Sequence, residues 1–149
     1  MSETKPKVKI MFLCTGNSCR SQMAEGWARA LLGDEVSAHS AGTEAHGLNP
    51  RAVRVMEEAG VDISGHASKT VEDLDCDAPD LAVTVCDSAA EACPVPRGAA
   101  RVVHHSFDDP ASARGTEEEV LRVFRRVRDE IRDFVRTLPA MLEEKGGAS

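Results

Sequence analysis

The stretch Val8-Lys9-Ile10-Met11-Phe12-Leu13-Cys14-Thr15-Gly16-Asn17-Ser18-Cys19-Arg20-Ser21-Gln22-Met23-Ala24-Glu25-Gly26-Trp27-Ala28 decides the fold. Val8–Leu13 is apolar apart from Lys9, as expected of a central parallel strand covered on both faces. Gln22–Ala28 reads as helix. A strand that ends in a glycine-bearing loop and opens into a helix is an anion cradle. Backbone N–H groups converge there, and the helix N-terminus adds partial positive charge. Thr15, Gly16, Asn17, Ser18, Cys19 and Arg20 are therefore the expected oxyanion-binding residues. Arg20 contributes a planar fork of donors suited to a tetrahedral anion. Cys14 opens the loop, and the positive surroundings favour thiolate over thiol, predicting a nucleophile beneath a bound oxyanion. Ser21 is placed to donate a hydrogen bond to its sulfur.

Outward from this stretch, strands alternate with helices. Val36–Ala41 is a second strand ending at Gly42, Leu81–Val85 a third running to Cys86, and Arg101–His104 a fourth. The first helix carries Met23, Trp27, Ala30 and Leu31 on one stripe and stops at Gly33. Asn49-Pro50 is a cap followed by a helix-starting proline. Val53, Met56 and Ala59 should face inward from that helix, and Gly60 should stop it. A small helix is expected around Val71–Leu74. Thr116-Glu117-Glu118-Glu119 is a capping box opening a long helix. Its inward stripe is Val120, Phe124, Val127, Ile131, Phe134 or Val135, and Leu138, with Pro139 ending or kinking it. The pattern predicts an α/β single-domain three-layer sandwich, a four-stranded parallel sheet flanked by helices. Ligands bind such sheets beyond the carboxyl ends of the strands, which puts Cys14 and Cys86 on one rim.

The 149 residues, 42% of them hydrophobic, suffice for one core, so residues 1–149 are read as one domain with tails at 1–7 and 146–149. A net charge of −7 argues against a nucleic-acid partner. No apolar run is long enough to span a membrane, and the first residues lack the apolar core of a secretory signal. Five cysteines, an odd number, argue against a secreted disulfide framework and for a reducing cytoplasm. A monomer is expected. The arginines of the long helix (Arg122, Arg125, Arg126, Arg128, Arg132, Arg136) alternate with Asp129, Glu130 and Asp133, a paired and solvated face.

Among the other cysteines, Cys86 and Cys93 stand seven residues apart, with helical composition between them. Seven residues of helix span about 10.5 Å, beyond the roughly 7 Å a disulfide tolerates, so bonding them requires that helix to unwind. The alternative is two small buried hydrophobes. Cys19 is read as a backbone donor and packing residue, Cys76 as a bystander. Asp108-Asp109-Pro110 offers a carboxylic acid to protonate a leaving group, or simply starts a turn. His104 and His105, adjacent on a strand, point to opposite faces, so no metal site is expected from them. His46 and His66 read as loop residues that are solvated or structurally hydrogen-bonded.

The string Cys-x5-Arg-Ser after the first strand resembles the low-molecular-weight tyrosine phosphatase fold. The fuller string Cys14–Gly26 is similar to the thioredoxin-coupled arsenate reductases within it. The likeness continues at Ser40-Ala41-Gly42, His46–Pro50, Asp62-Ile63-Ser64, Val83–Cys86, Cys93-Pro94, Phe107–Ala111 and Arg126–Ile131. The resemblance implies reduction of arsenate, with phosphate or sulfate competing, for arsenic detoxification. Cys14 would be nucleophile, Cys86 and Cys93 relay thiols, Asp109 the general acid, and thioredoxin the external reductant with no cofactor bound. Some members hold potassium with an asparagine, a glutamate, a serine and an aspartate. Asn17, Glu25 and Ser40 match three, and Lys69 stands where the aspartate would be. Its ammonium would replace the cation, so weak or absent potassium dependence is expected. A rival reading is a phosphatase using Cys14, Arg20 and Asp109. With no tyrosine and few aromatics to wall a phosphotyrosine site, that activity is expected to be weak. A non-catalytic oxyanion sensor is the third reading.

Overall fold

The structure is a computed structural model that describes residues 8–70, 79–85 and 100–147. Four strands, β1 (Val8–Cys14), β2 (Val36–Gly42), β3 (Leu81–Thr84) and β4 (Arg101–His104), form one sheet in the order β2-β1-β3-β4. Every pairing is parallel, and Cys14 ends β1 in register with Gly42. The helices are α1 (Arg20–Leu32), α2 (Pro50–Glu58), α3 (Glu117–Val135) and α4 (Leu138–Gly147), with a 3₁₀ turn at Pro110–Ser112.

Alternation along the strands sorts the core into two faces. Ile10, Phe12, Leu81 and Val83 join Met23, Trp27, Val55, Phe124 and Ile131 in the main core, against the helices. Met11, Leu13, Ala41 and Ala82 form a smaller buried cluster. The expected Val71–Leu74 helix, Cys76, Cys86 and Cys93 lie outside the described residues.

The α3 stripe is buried as patterned, with both Phe134 and Val135 inside, but Leu138, expected on the same helix, is buried at the start of α4. The capping box is present: Glu119 N–H donates to Thr116 Oγ1 at 3.1 Å, and Thr116 N–H to Glu119 Oε1 at 3.0 Å. Trp27 Nε1 donates to the Arg128 carbonyl at 3.1 Å, fastening α1 to α3. The arginine face is paired: Arg125 with Glu58 and Glu118, Arg126 with Asp108 and Glu130, Arg132 with Asp129 and Asp133.

Three expectations are corrected. On α1 the buried residues end at Ala28, and Ala30 and Leu31 are exposed, because the last turn projects beyond the core. On α2 Ala52 and Val55 join Met56 inside, whereas Val53 is half-buried and Ala59, the C-cap, is exposed. Pro139 neither kinks nor simply ends a helix. It sits in the first turn of α4, where its missing N–H costs nothing, and α4 runs through the expected tail to Gly147.

Candidate active site

The loop between β1 and α1 is shaped from outside. The Thr15 carbonyl accepts from Glu44 N–H at 3.0 Å and Thr43 Oγ1 at 3.1 Å. The Gly16 carbonyl accepts from His46 N–H at 3.0 Å and Ser68 Oγ at 3.3 Å. Asn17 O accepts from Gln22 Nε2 at 3.3 Å, Ser18 O from Asn49 N–H at 3.0 Å and Cys19 O from Met23 N–H at 2.8 Å. A carbonyl tied outward turns the next N–H the opposite way, because the two oppose each other across a trans peptide. Five successive carbonyls fixed by neighbours thus turn the amides that follow them towards the inside of the loop.

Behind the loop stands a buried polar network. Asn17 adopts φ 48°, a left-handed conformation that asparagine tolerates better than most residues. Its Nδ2 donates to Ser21 Oγ at 2.8 Å and Ser40 Oγ at 3.0 Å. Its Oδ1 accepts from Gln22 Nε2 at 3.0 Å and Lys69 N–H at 2.8 Å. Ser40 Oγ in turn donates to Glu25 Oε1 at 2.6 Å. Ser21 Oγ lies 2.8 Å from Cys14 Sγ, which places a hydroxyl donor on the expected nucleophile.

A cavity of about 170 Å³ opens above Cys14, lined by Thr15, Gly16, Ser18, Cys19 and Arg20 and by three residues from elsewhere, His46, Asp109 and Ala111. Arg20 is buried, and Nη1 donates to the Phe107 carbonyl at 3.3 Å. Its Nη2 lies 3.7 Å from Asp109 Oδ2. Asp109 Oδ1 accepts from Ala111 N–H at 3.0 Å, so one carboxylate oxygen caps the 3₁₀ turn while the other faces Arg20. Asp108 points away, paired with Arg126 at 2.9 Å. The arrangement joins a thiol, a hydroxyl donor, a guanidinium and a carboxyl group around one small polar cavity, the equipment for attack on a tetrahedral oxyanion and protonation of its leaving oxygen.

Burial pushes the Cys19 thiol up to about 12, against a smaller opposing effect of the Ser18 hydroxyl. Cys19 is therefore a neutral thiol near pH 7, in keeping with a packing residue.

The residues matched to a potassium site do not fit a monovalent ion. Glu25 Oε2 is held by Arg29 Nη2 at 2.7 Å, its Oε1 by Ser40, and both acceptor positions of Asn17 Oδ1 are used. Nor does the Lys69 ammonium replace the ion: Nζ donates to the Ala67 carbonyl at 3.0 Å, and only the Lys69 backbone N–H enters the network. The cation on Glu25 is Arg29, one helical turn along α1. Among the described residues no cluster of histidine, cysteine or carboxylate side chains is arranged to hold a metal.

Sequence reading missed that His46 lines the cavity and that Gln22 and Arg29 complete the network. His66, expected to be solvated or structurally hydrogen-bonded, has Nδ1 2.9 Å from Gln22 Oε1 and 3.9 Å from Glu25 Oε2. Thr43–Asn49 is remote in sequence from the loop it braces, and no spacing signals that contact.

The sequence profile of the low molecular weight phosphotyrosine protein phosphatases matches residues 9–148. An arsenate reductase of Halalkalibacterium halodurans is 55% identical over 131 residues, 88% of this chain and 94% of that protein. An arsenate reductase of Bacillus subtilis is 57% identical over 122 residues, 82% of this chain and 88% of that protein. A solved arsenate reductase in the phosphate binding state superposes with a TM-score of 0.74 at 34% identity, covering 90% of this chain and 98% of its own.

Proposed function

The chain belongs to the low molecular weight phosphotyrosine protein phosphatase family, and from that premise we propose that it is an arsenate reductase working through three cysteines. The observation that carries the chemistry is Cys14 Sγ, 2.8 Å from the Ser21 hydroxyl, in one cavity with Arg20 and Asp109. Relatives more than half identical over most of their length are arsenate reductases, which supports arsenate as the substrate. The roles of Cys86 and Cys93 rest on their sequence positions and on resemblance.

Arsenate enters the loop as a tetrahedral anion, bound by backbone N–H groups and Arg20, with phosphate or sulfate as competitors. Cys14 thiolate attacks arsenic, and Asp109 gives a proton to the departing oxygen, which leaves as water. Cys86 thiolate then attacks Cys14 Sγ. The sulfur–arsenic bond breaks with its electron pair on arsenic, releasing arsenite and a Cys14–Cys86 disulfide. Cys93 attacks Cys86, freeing Cys14 and leaving a Cys86–Cys93 disulfide. Thioredoxin returns two electrons and two protons to that disulfide. In this reading the protein is a cytoplasmic monomer serving arsenic detoxification, without a bound cofactor. Because Arg29 already holds Glu25, potassium and sodium chloride should support equal rates at matched ionic strength, and strong activation by potassium would refute that.

The test is arsenate-dependent NADPH oxidation with thioredoxin and thioredoxin reductase, for wild type and Cys93→Ser. Turnover by wild type, with the variant stopping after about one equivalent of arsenite per chain, establishes the relay. The family match favours a second reading, phosphatase activity through Cys14, Arg20 and Asp109 alone. Hydrolysis of an aryl phosphate that survives loss of Cys86 and Cys93, without arsenate turnover, would select it.

A further inference from the structure

His46 belongs to the cavity wall for reasons of backbone geometry. Its N–H donates to the Gly16 carbonyl at 3.0 Å, and Glu44 N–H donates to the Thr15 carbonyl at 3.0 Å, so the segment lies flat against the loop. The imidazole packs on the bare face of Gly16. A Cβ there would meet Nδ1 outright and stand 3.0 Å from Cγ. The imidazole Nε2 lies 3.6 Å from Glu44 Oε1, with both side chains more than half exposed.

The charge inventory of the cavity gives this placement a purpose. Arg20 is the one arginine or lysine among the described lining residues, and Asp109 already faces that guanidinium at 3.7 Å. A bound oxyanion dianion and the Cys14 thiolate together carry more negative charge than one guanidinium offsets. Among the described lining residues His46 is the other side chain able to become cationic, and histidine changes charge near neutrality. Among the described residues, the charged and titratable groups facing it are Glu44 on its own segment, Cys14, Cys19 and Arg20 from the loop, and Asp109 across the cavity.

We propose that His46 is an oxyanion-binding residue that takes up a proton as the anion enters, making oxyanion affinity pH-dependent through the wall of the cavity. The proposal rests on the reading that the loop binds a tetrahedral oxyanion.

Inorganic sulfate is the probe, since it stays a dianion across the neutral range and does not itself exchange protons. Calorimetric titration of the reduced full-length chain at pH 7, in two buffers of different ionisation enthalpy, reads affinity and proton uptake together. Wild type should take up a fraction of a proton. His46→Gln should bind about fivefold more weakly, the scale of one partly solvated charge contact, with the uptake lost or sharply reduced. His46→Lys should recover the affinity without the uptake, a pattern that loop distortion would not produce. Unchanged affinity and uptake in His46→Gln would assign the proton to Cys14 and overturn the proposal. Failure of wild type to bind sulfate or phosphate at all would overturn the oxyanion reading itself.

Discussion

Gly42 lies in register with Cys14, and a methyl group on it would stand 2.8 Å from the Cys14 carbonyl, 2.6 Å from that of Thr15 and 2.9 Å from Asn17 N. All three atoms are backbone of the anion loop, so no side chain can move aside to make room. Gly42→Ala should therefore cost about 1–3 kcal/mol through overpacking and displace the loop itself. Thermal unfolding reads the first effect and sulfate affinity the second. Normal binding with normal stability would show that the loop relaxes around the methyl group.

Ser21 separates chemistry from architecture. Its Oγ contacts Cys14 Sγ at 2.8 Å and also accepts from Asn17 Nδ2, which keeps Ser40 as an alternative acceptor. Ser21→Ala should slow iodoacetamide alkylation of Cys14 at pH 7 by about tenfold or more, since a hydrogen bond to a charged group contributes about 1.5–3 kcal/mol. Stability should fall by only ~1 kcal/mol. Asn17→Ala removes all four side-chain bonds and places alanine at φ 48°, so it should lose about 3 kcal/mol or more. Peptide mapping by mass spectrometry keeps Cys14 distinct from the other thiols. Equal alkylation rates in wild type and Ser21→Ala would remove Ser21 from the chemistry.

Much of this architecture was legible because it is local. The apolar run before Cys14, the cap at Asn49 and the Thr116 capping box each announce an element within a few residues, and each element is present. That the sheet is parallel follows from alternating strands and helices. The Thr43–Asn49 brace and the Gly42 close approach were not legible, for one physical reason. They depend on which segments the sheet brings side by side, and backbone carbonyls accept from any residue type. Ala30 and Leu31 fit the helical period of α1, yet periodicity does not reveal where a helix outruns the core that it packs on.

Asp109 divides its carboxylate between two tasks, so a substitution can spare one of them. Asparagine retains an oxygen for the Ala111 N–H but cannot give up a proton as an acid. Asp109→Asn should lower the single-turnover rate of arsenite formation by roughly 10²–10⁴-fold, the usual contribution of a positioned acid. Sulfate affinity should not fall, because a negative charge has left the cavity and Arg20 is relieved of its neighbour. Loss of binding in parallel with rate would assign Asp109 to the shape of the site. An unchanged rate would leave the leaving oxygen to be protonated by another group.

His66 ties the network behind the loop to pH. Burial holds it below its ordinary value of 6.5, and Arg29 and Lys69 push the same way against the pull of Glu25. The folded chain therefore binds this proton less readily than the unfolded chain. The stability that His66 contributes is complete above pH 6.5 and is lost as pH falls from there towards its lower folded value. His39, also lowered chiefly by burial, acts in the same direction. His66→Gln keeps a donor for Gln22 Oε1 but cannot titrate, so its melting temperature should fall less than that of wild type between about pH 7.5 and 5.5. Groups that titrate alike in both proteins cancel in the difference between the two curves. Parallel curves would mean that Glu25 compensates the imidazolium fully, and the acid sensitivity of the fold would then belong to His39 and the carboxylates.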